Sequence, residues 1–286
     1  MTGVAPLSPF IIEPLVRMAL AEDLGRAGDI TSDSTVPESA RACVVIAARE
    51  EGRIAGLDIA EAAFRMVDAS LKITRLIREG ADVKKGDEVM KVEGRARSIL
   101  TAERVALNFM GHMSGVATLT LKMVRAVGNH KAKIAATRKT LPGLRAVQKY
   151  AVMVGGGIPH RYGLDDAVLI KDNHIAMSGG VRNAIRNAKA HIGHTVKIEV
   201  EVDTLEQLAD VLDEGVDIVM LDNMTGEQMK QAVAMVGGRA VVEASGGVTL
   251  ARIPEIAATG VDLISSGAIT HSAPNFDVGL DYKAAA

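Results

Sequence analysis

From Lys133 onward the chain repeats one grammar: a short apolar run, a longer stretch with helical spacing, then another short apolar run. Runs near 133–137, 167–171, 196–202, 217–222, 240–245 and 262–266 have the length and composition of strands. Segments between them, such as 205–212 and 226–236, place apolar residues three and four apart, as helices do. Alternation of this kind buries its apolar faces as parallel β/α units with right-handed crossovers. Six strands are counted this way, short of the eight that close a standard barrel.

Upstream the grammar changes. Ile11, Ile12, Leu15, Val16, Ala19 and Leu20 sit at helical spacing and Gly25 follows them, so a helix over 10–24 is expected. Residues 28–37 read as turns, 42–48 as a strand and 57–67 as a helix. Residues 71–77 and 89–92 alternate apolar and polar around the turn Lys85-Gly86-Asp87. A long helix is expected over 101–127, with Thr101 as its N-cap and Glu103 and Arg104 in its first turn. It would bridge a mixed α+β domain and a β/α domain, and Ala284-Ala285-Ala286 reads as a frayed tail.

The chemistry is concentrated where strands end. One apolar run stops at Thr137-Arg138-Lys139-Thr140 and another at Lys171-Asp172-Asn173-His174, with Gly155-Gly156-Gly157 and Pro159-His160-Arg161 between them. The C-terminal ends of parallel strands share one face, so Arg138, Lys139, His160, Arg161 and Lys171 should converge on a rim that takes an anion. Arginine forks suit planar carboxylates, which points to Arg138 and Arg161 as a clamp. Lys139 follows Arg138 and would face the other way on an ideal strand.

Glu199 and Glu201 alternate onto one face of their strand, Asp222 ends the next, and Glu243 lies on the one after. Buried carboxylates without a role are costly, and oxygen donors of this kind are what Mg²⁺ takes, completed by water and substrate phosphates. Glu199 fits either a functional role or a partner for an interior cation; Asn173 and His174 fit contact or turn roles equally. Ser245-Gly246-Gly247 and Ser266-Gly267, after the last two strands, set backbone N–H groups beside hydroxyls, as a phosphate cradle does.

Composition bounds the partners. Lys+Arg 33 against Asp+Glu 35 leaves a net charge of -2, so no global field recruits nucleic acid, and 2% aromatic content with no Trp gives no stacking platform. The single cysteine, Cys43, excludes an intrachain disulfide and reads as a small buried apolar residue. No run approaches the roughly 20 apolar residues of a membrane span, and the first residues do not resemble a signal peptide. A cytoplasmic location without membrane contact is the expectation.

The motifs, in order, resemble those of quinolinate phosphoribosyltransferases. They are Glu22-Asp23-Leu24-Gly25 with Gly28-Asp29-Ile30-Thr31, Thr101-Ala102-Glu103-Arg104, the two cationic strand ends, Glu199-Val200-Glu201-Val202, Leu221-Asp222-Asn223, Ala244-Ser245-Gly246-Gly247 and Ser265-Ser266-Gly267. The resemblance spans nearly the whole chain. It implies an α/β fold: an incomplete, about seven-stranded α/β barrel over 116–274, after an N-terminal α+β open sandwich over 1–115 joined by the tail 275–286. It implies that quinolinate and phosphoribosyl pyrophosphate become nicotinate mononucleotide, pyrophosphate and CO₂ in NAD biosynthesis.

By the same resemblance Arg104, Arg138, His160, Arg161 and Lys171 bind quinolinate, and Lys139 leans toward the pyrophosphate. Glu201 and Asp222 share Mg²⁺ with the substrate, while Ser245, Gly246, Gly247, Ser266, Gly267 and His271 hold the 5′-phosphate. Lys139, Glu201, Asp222 and Lys171 are the catalytic set, with Lys171 or a water as proton donor after decarboxylation. Arg104 would enter a neighbouring subunit's site, giving a homodimer or larger even homo-oligomer. Two alternatives stand beside this reading: a molybdate-transport-associated pyrophosphorylase-like paralogue, and a barrel lyase forming a Schiff base at Lys171.

Overall fold

A computed structural model describes residues 3–283, so the Ala284-Ala285-Ala286 tail lies outside the described residues. The chain divides into two compact units, Met1–Leu119 with Ala146–Gly156 and Ala273–Ala286, and Thr120–Arg145 with Gly157–Ser272.

The first unit opens with α1 (Pro9–Leu24), capped by Ser8 and closed by Gly25 at φ 52°. Ile12, Val16 and Leu20 form its buried stripe, each worth about 1.5–3 kcal/mol when fully removed from water. The stretch read as turns holds a short helix, α2 (Ile30–Thr35), because the Asp29 carboxylate accepts the Ser32 N–H at 2.9 Å and caps it. β1 (Arg41–Ala48) and β2 (Gly52–Arg53) lead to α3 (Leu57–Val67), whose first N–H groups are taken by Glu79 at 2.7 and 3.0 Å. β3 (Lys72–Arg75), β4 (Asp82–Val83) and β5 (Glu88–Arg95) follow.

α4 (Ala96–Val127) then begins directly at the end of β5, five residues before the expected start. Thr101 is therefore inside the helix and not its N-cap; its hydroxyl donates to Asp29 at 3.1 Å. Arg104, exposed, lies past the first turn.

The second unit carries the β/α alternation. Its strands are β6 (Lys133–Ala135), β7 (Val168–Ile170), β8 (Ile198–Val202), β9 (Ile218–Asp222), β10 (Val241–Ser245) and β11 (Leu263–Ser265). α5 (Arg145–Val154) follows β6 in sequence but from Ala146 belongs to the first unit, and α6 (Asp172–Met177) and α7 (Val181–His191) follow β7. α8 (Leu205–Glu214), α9 (Gly226–Val236), α10 (Ile253–Ala257) and α11 (Ala268–His271) follow the later strands.

The six strands form one parallel sheet in the order β6-β11-β10-β9-β8-β7, whose edge strands do not pair with each other. This is the incomplete barrel, with six strands where the resemblance implied about seven. The seventh place is a one-residue parallel bridge, Ala135 to Ile158, in which Ile158 donates to Ile134 and accepts from Ala136. Gly155-Gly156-Gly157 before it and Pro159 after it keep that contact from lengthening into a strand. The tail returns to the first unit as β12 (Val278–Tyr282), antiparallel to β1 in a sheet ordered β12-β1-β5-β3. No helix among the described residues is long and apolar enough to cross a membrane.

Candidate active site

A cavity of about 520 Å³ opens at the C-terminal ends of the parallel strands, within the second unit. All five cationic or titratable residues read from the strand ends line it: Arg138, Lys139, His160, Arg161 and Lys171. So do Glu201, Asp222, Ser245, Gly246 and Gly247.

The first cations stand on a loop. β6 ends at Ala135, so strand alternation does not set the directions of Arg138 and Lys139. The turn is held by Lys139 N–H donating to Thr137 Oγ1 at 3.0 Å and Thr140 N–H donating to the Arg138 carbonyl at 2.9 Å. Arg145 ties it to the next loop, donating to Thr140 Oγ1 at 3.1 Å and to the Tyr162 carbonyl at 2.9 Å. Asp166 braces that second loop by accepting from the Tyr162 and Gly163 N–H groups. Arg161 donates to the Ala167 carbonyl, yet its Nε and that of Arg138 are buried with no hydrogen-bond partner. Burial and the neighbouring Arg138 charge lower the Arg161 pKa. Two half-buried, mutually repelling guanidiniums, each with a buried spare Nε donor, are a receptor for an anion.

His160 sits below them at φ 53°, an unusual backbone for a residue other than glycine. Its Nδ1 accepts the Arg161 N–H at 2.8 Å, and its Nε2 faces Glu199 at 3.2 Å and Glu243 at 3.4 Å. Burial opposes a second proton on the ring, but the two carboxylates outweigh it and push His160 up to about 9. The Arg161 amide N–H aimed at Nδ1 works against that second proton. Burial and the Glu243 charge raise the Glu199 pKa although His160 opposes the shift. These three residues bring metal-ligand-type atoms within 4.8 Å of one another. A metal on Nε2 would need the proton on Nδ1, the nitrogen that accepts here, so the geometry disfavours that use. With both ring nitrogens engaged, His160 supports the Arg161 loop more directly than it faces the cavity.

Across the cavity Lys171 Nζ pairs with Glu201 Oε2 at 2.6 Å. Burial raises the Asp222 pKa, and the charges of Glu201 and Asp203 add to it. Asn173 and His174 take turn roles: the Asn173 N–H donates to Asp172, and His174 Nδ1 accepts the Lys171 N–H at 3.0 Å.

The two glycine loops differ. Gly246 and Gly247 turn at φ 80° and 56°, and the loop's last carbonyl accepts from Arg252 at 3.1 Å. In the other, the Ser266 N–H is taken by the Ala135 carbonyl at 3.1 Å, so it is not a free phosphate donor. Ser266, Gly267 and His271 are not among the residues lining the cavity. Gly267 instead makes room for Lys139: an added Cβ would come within 2.8 Å of the lysine Cδ and 3.2 Å of the His271 ring. Arg145 and Asn223 received no site role from sequence; Glu243 was placed with the strand-end carboxylates but given no specific role.

The models of the quinolinate phosphoribosyl transferase N-terminal and C-terminal domains match residues 29–114 and 116–281. The chain is 45% identical over 271 residues to the nicotinate-nucleotide pyrophosphorylase [carboxylating] of Mycobacterium leprae, covering 93% of this chain and 95% of that one. It is 43% identical over 287 residues to a mitochondrial quinolinate phosphoribosyltransferase [decarboxylating], 2b, of Nicotiana tabacum, covering 94% and 81%. The solved nicotinate-nucleotide pyrophosphorylase of Francisella tularensis superposes with a TM-score of 0.93 at 40% identity, covering 98% of this chain and 99% of that one.

Proposed function

From its membership of the quinolinate phosphoribosyltransferase family, to which both matched domains assign this chain, we infer what its cavity does. Quinolinate and phosphoribosyl pyrophosphate become nicotinate mononucleotide, pyrophosphate and CO₂, a step of NAD biosynthesis. The observation that carries the reading is one cavity lined by Arg138, Lys139, His160, Arg161 and Lys171 and by three carboxylates, Glu201, Asp222 and Glu243, which suits a dianionic acceptor and a donor with a cationic transition state.

In the first step the pyridine nitrogen bonds to C1 of the ribose as the C1–oxygen bond to pyrophosphate breaks. Arg138 and Arg161 orient the two carboxylates of quinolinate, with Arg104 as a further binding residue, while Lys139 and Lys171 supply positive charge around the leaving group and ring. Glu201 and Asp222 face the ribose as it gains oxocarbenium character. The same two carboxylates, close enough for Glu201 to raise the Asp222 pKa, fit a divalent cation. Mg²⁺ held there with substrate oxygens would neutralise leaving-group charge. In the second step the bond from C2 to its carboxylate breaks, CO₂ leaves, and the electron pair stays on C2 beside the quaternised nitrogen. A proton from Lys171 or a water then restores the ring. Gly246 and Gly247, with Ser245, are the half of the 5′-phosphate cradle that lines the cavity, while Gly267 leaves room for the Lys139 stem beside the His271 ring.

The assay is quinolinate-dependent release of CO₂ and pyrophosphate from phosphoribosyl pyrophosphate, with nicotinate and nicotinamide as control acceptors and with Mg²⁺ chelated. Release with nicotinate instead, or none at all, would overturn the reading. A Schiff-base lyase fits less well, because the Lys171 amine is engaged by Glu201.

The proposal extends to a cytoplasmic homodimer, or a larger even oligomer, in which Arg104 completes the partner's site. Reassociating Arg104→Ala with Lys139→Ala subunits, each inactive alone, should restore roughly a quarter of wild-type activity by random pairing. Parental activity in proven mixed dimers would place Arg104 elsewhere.

A further inference from the structure

Next to Asp222 lies a residue that the reaction does not itself require. Asn223 has φ 51° and is, with His160, one of two non-glycine residues at positive φ among the described residues. Asparagine tolerates that backbone better than most side chains do. The conformation puts three contacts in reach at once. Its N–H donates to the Ser245 carbonyl at 3.1 Å. Its Nδ2 donates to Asp222 Oδ2 at 2.6 Å. Its carboxamide and its backbone nitrogen lie against Gly246, where any Cβ would run into them. Asp222 and Ser245 are already register partners in the parallel ladder, so Asn223 locks together two strand ends that carry different parts of the cavity.

We propose that Asn223 is a positioning residue for phosphoribosyl transfer: it fixes the Asp222 carboxylate and holds the Ser245-Gly246-Gly247 loop at a set spacing from it. The inference rests on the function proposed above and deepens it. A phosphoribosyl substrate has a charged group at each end of one ribose, so its two grips must be a fixed distance apart. A donor on Asp222 Oδ2 leaves Oδ1 as the oxygen free to face C1. The wedge against Gly246 keeps the loop's N–H groups at the other end of the sugar. Quinolinate, held by the arginines on the loops that follow β6 and precede β7, should not sense the lock.

Two substitutions separate the side chain from its backbone. Asn223→Gly accepts the positive φ but loses the donor and the wedge. Asn223→Asp keeps shape and much of the backbone tolerance but sets an acceptor against Asp222. Both should lower kcat and raise KM for phosphoribosyl pyrophosphate by about tenfold each, as expected when a positioned charge is released. Quinolinate binding by calorimetry should stay within about twofold, the change expected at a site that does not share the contact.

Gly246→Ala should reproduce the defect in the wild-type background and add less in Asn223→Gly, where the carboxamide is gone although the residue 223 nitrogen, 2.8 Å from such a Cβ, remains. Melting temperatures, read in parallel, identify any variant that fails to fold; for such a variant the Gly246→Ala comparison decides the matter. Asn223→Gly with wild-type kcat and KM overturns the inference, as does quinolinate affinity falling in step with that for phosphoribosyl pyrophosphate. An inactive wild-type enzyme overturns instead the function on which it rests.

Discussion

Asp217 and Asp262 stand at the N-terminal ends of β9 and β11, and every oxygen of theirs has work within the fold. Asp217 pairs with Lys197 at 2.5 Å and accepts the Ile198 N–H at 2.9 Å; Asp262 pairs with Lys131 at 2.6 Å and accepts the Val242 N–H at 2.9 Å. At the opposite end of the same sheet the pattern reverses. Arg138 Nε, Arg161 Nε, Glu199 Oε1, both Glu243 oxygens and Ser265 Oγ are buried without a hydrogen-bond partner, all in the mouth cavity or against His160 beneath it. Size does not distinguish the two ends, since a hollow of about 490 Å³ opens at the bottom and one of about 520 Å³ at the mouth. What distinguishes them is unspent hydrogen-bonding capacity. The bottom uses its polar groups for stability and the mouth keeps them for a ligand, the division expected of this architecture.

The largest effect that would sharpen this contrast is at the mouth carboxylates. Glu201→Ala and Asp222→Ala should each lower turnover by about a hundredfold or more while quinolinate affinity changes little, since they act on charge that develops in the transition state. Steady-state kinetics beside calorimetry checks it, and activity within twofold of wild type would break the contrast. Next, Arg161→Lys keeps the charge but loses the fork, and quinolinate affinity should fall by about tenfold. An unchanged affinity would show that the spare arginine donors are not a carboxylate clamp.

At the bottom, Asp217→Asn should lower stability by about 1–2 kcal/mol in denaturant melts and leave kcat intact. Burial opposes ionisation of Asp217, but Lys197 and the Ile198 N–H outweigh it and hold its pKa below the usual carboxylate range. Its stabilisation is therefore present above the ordinary carboxylate pKa and is lost as pH falls through the depressed value, so the gap between wild type and variant should close in acid. A gap that persists there would mean that the charge is not what stabilises. The smallest shift has the opposite sign. Glu243→Met, which at similar volume removes a buried carboxylate that makes no hydrogen bond and only a 3.4 Å approach to His160, should leave the melting temperature unchanged or raise it by a degree or two, corresponding to less than about 1 kcal/mol, while lowering turnover.

Much of this arrangement was legible in residue order. Six apolar runs became the six strands within a residue or two, and the strand-end cations did meet in one cavity, because alternation and the shared face of parallel strands are local rules with global consequences. Local rules failed where neighbours distant in sequence decide. Thr101 looked like a cap, yet the chain passes from β5 straight into α4, where Ile99 and Ala102 are already buried, so the helix starts earlier. Lys139 was assigned a direction by strand alternation, but β6 stops at Ala135 and the lysine stem lies over Gly267 instead. Ser266 looked free to hold a phosphate until the sheet claimed its N–H. Glu243 against His160, and Asn223 against Gly246, are meetings of separate β/α units that no spacing announces.

The pairing of β12 with β1 has a consequence for how the chain is made. Val44 finds its partner in Tyr282, well over two hundred residues later, and the Phe276 N–H closes onto the Gly111 carbonyl only when that segment arrives. At synthesis rates of about 5–20 residues per second, one edge of β1 stays open on the ribosome for roughly ten seconds or more. An open apolar edge of that kind invites pairing with another nascent chain. The last strand is thus a late seal, and a ribosome that stalls between α4 and β12 would release a chain whose first sheet is still able to recruit its neighbour.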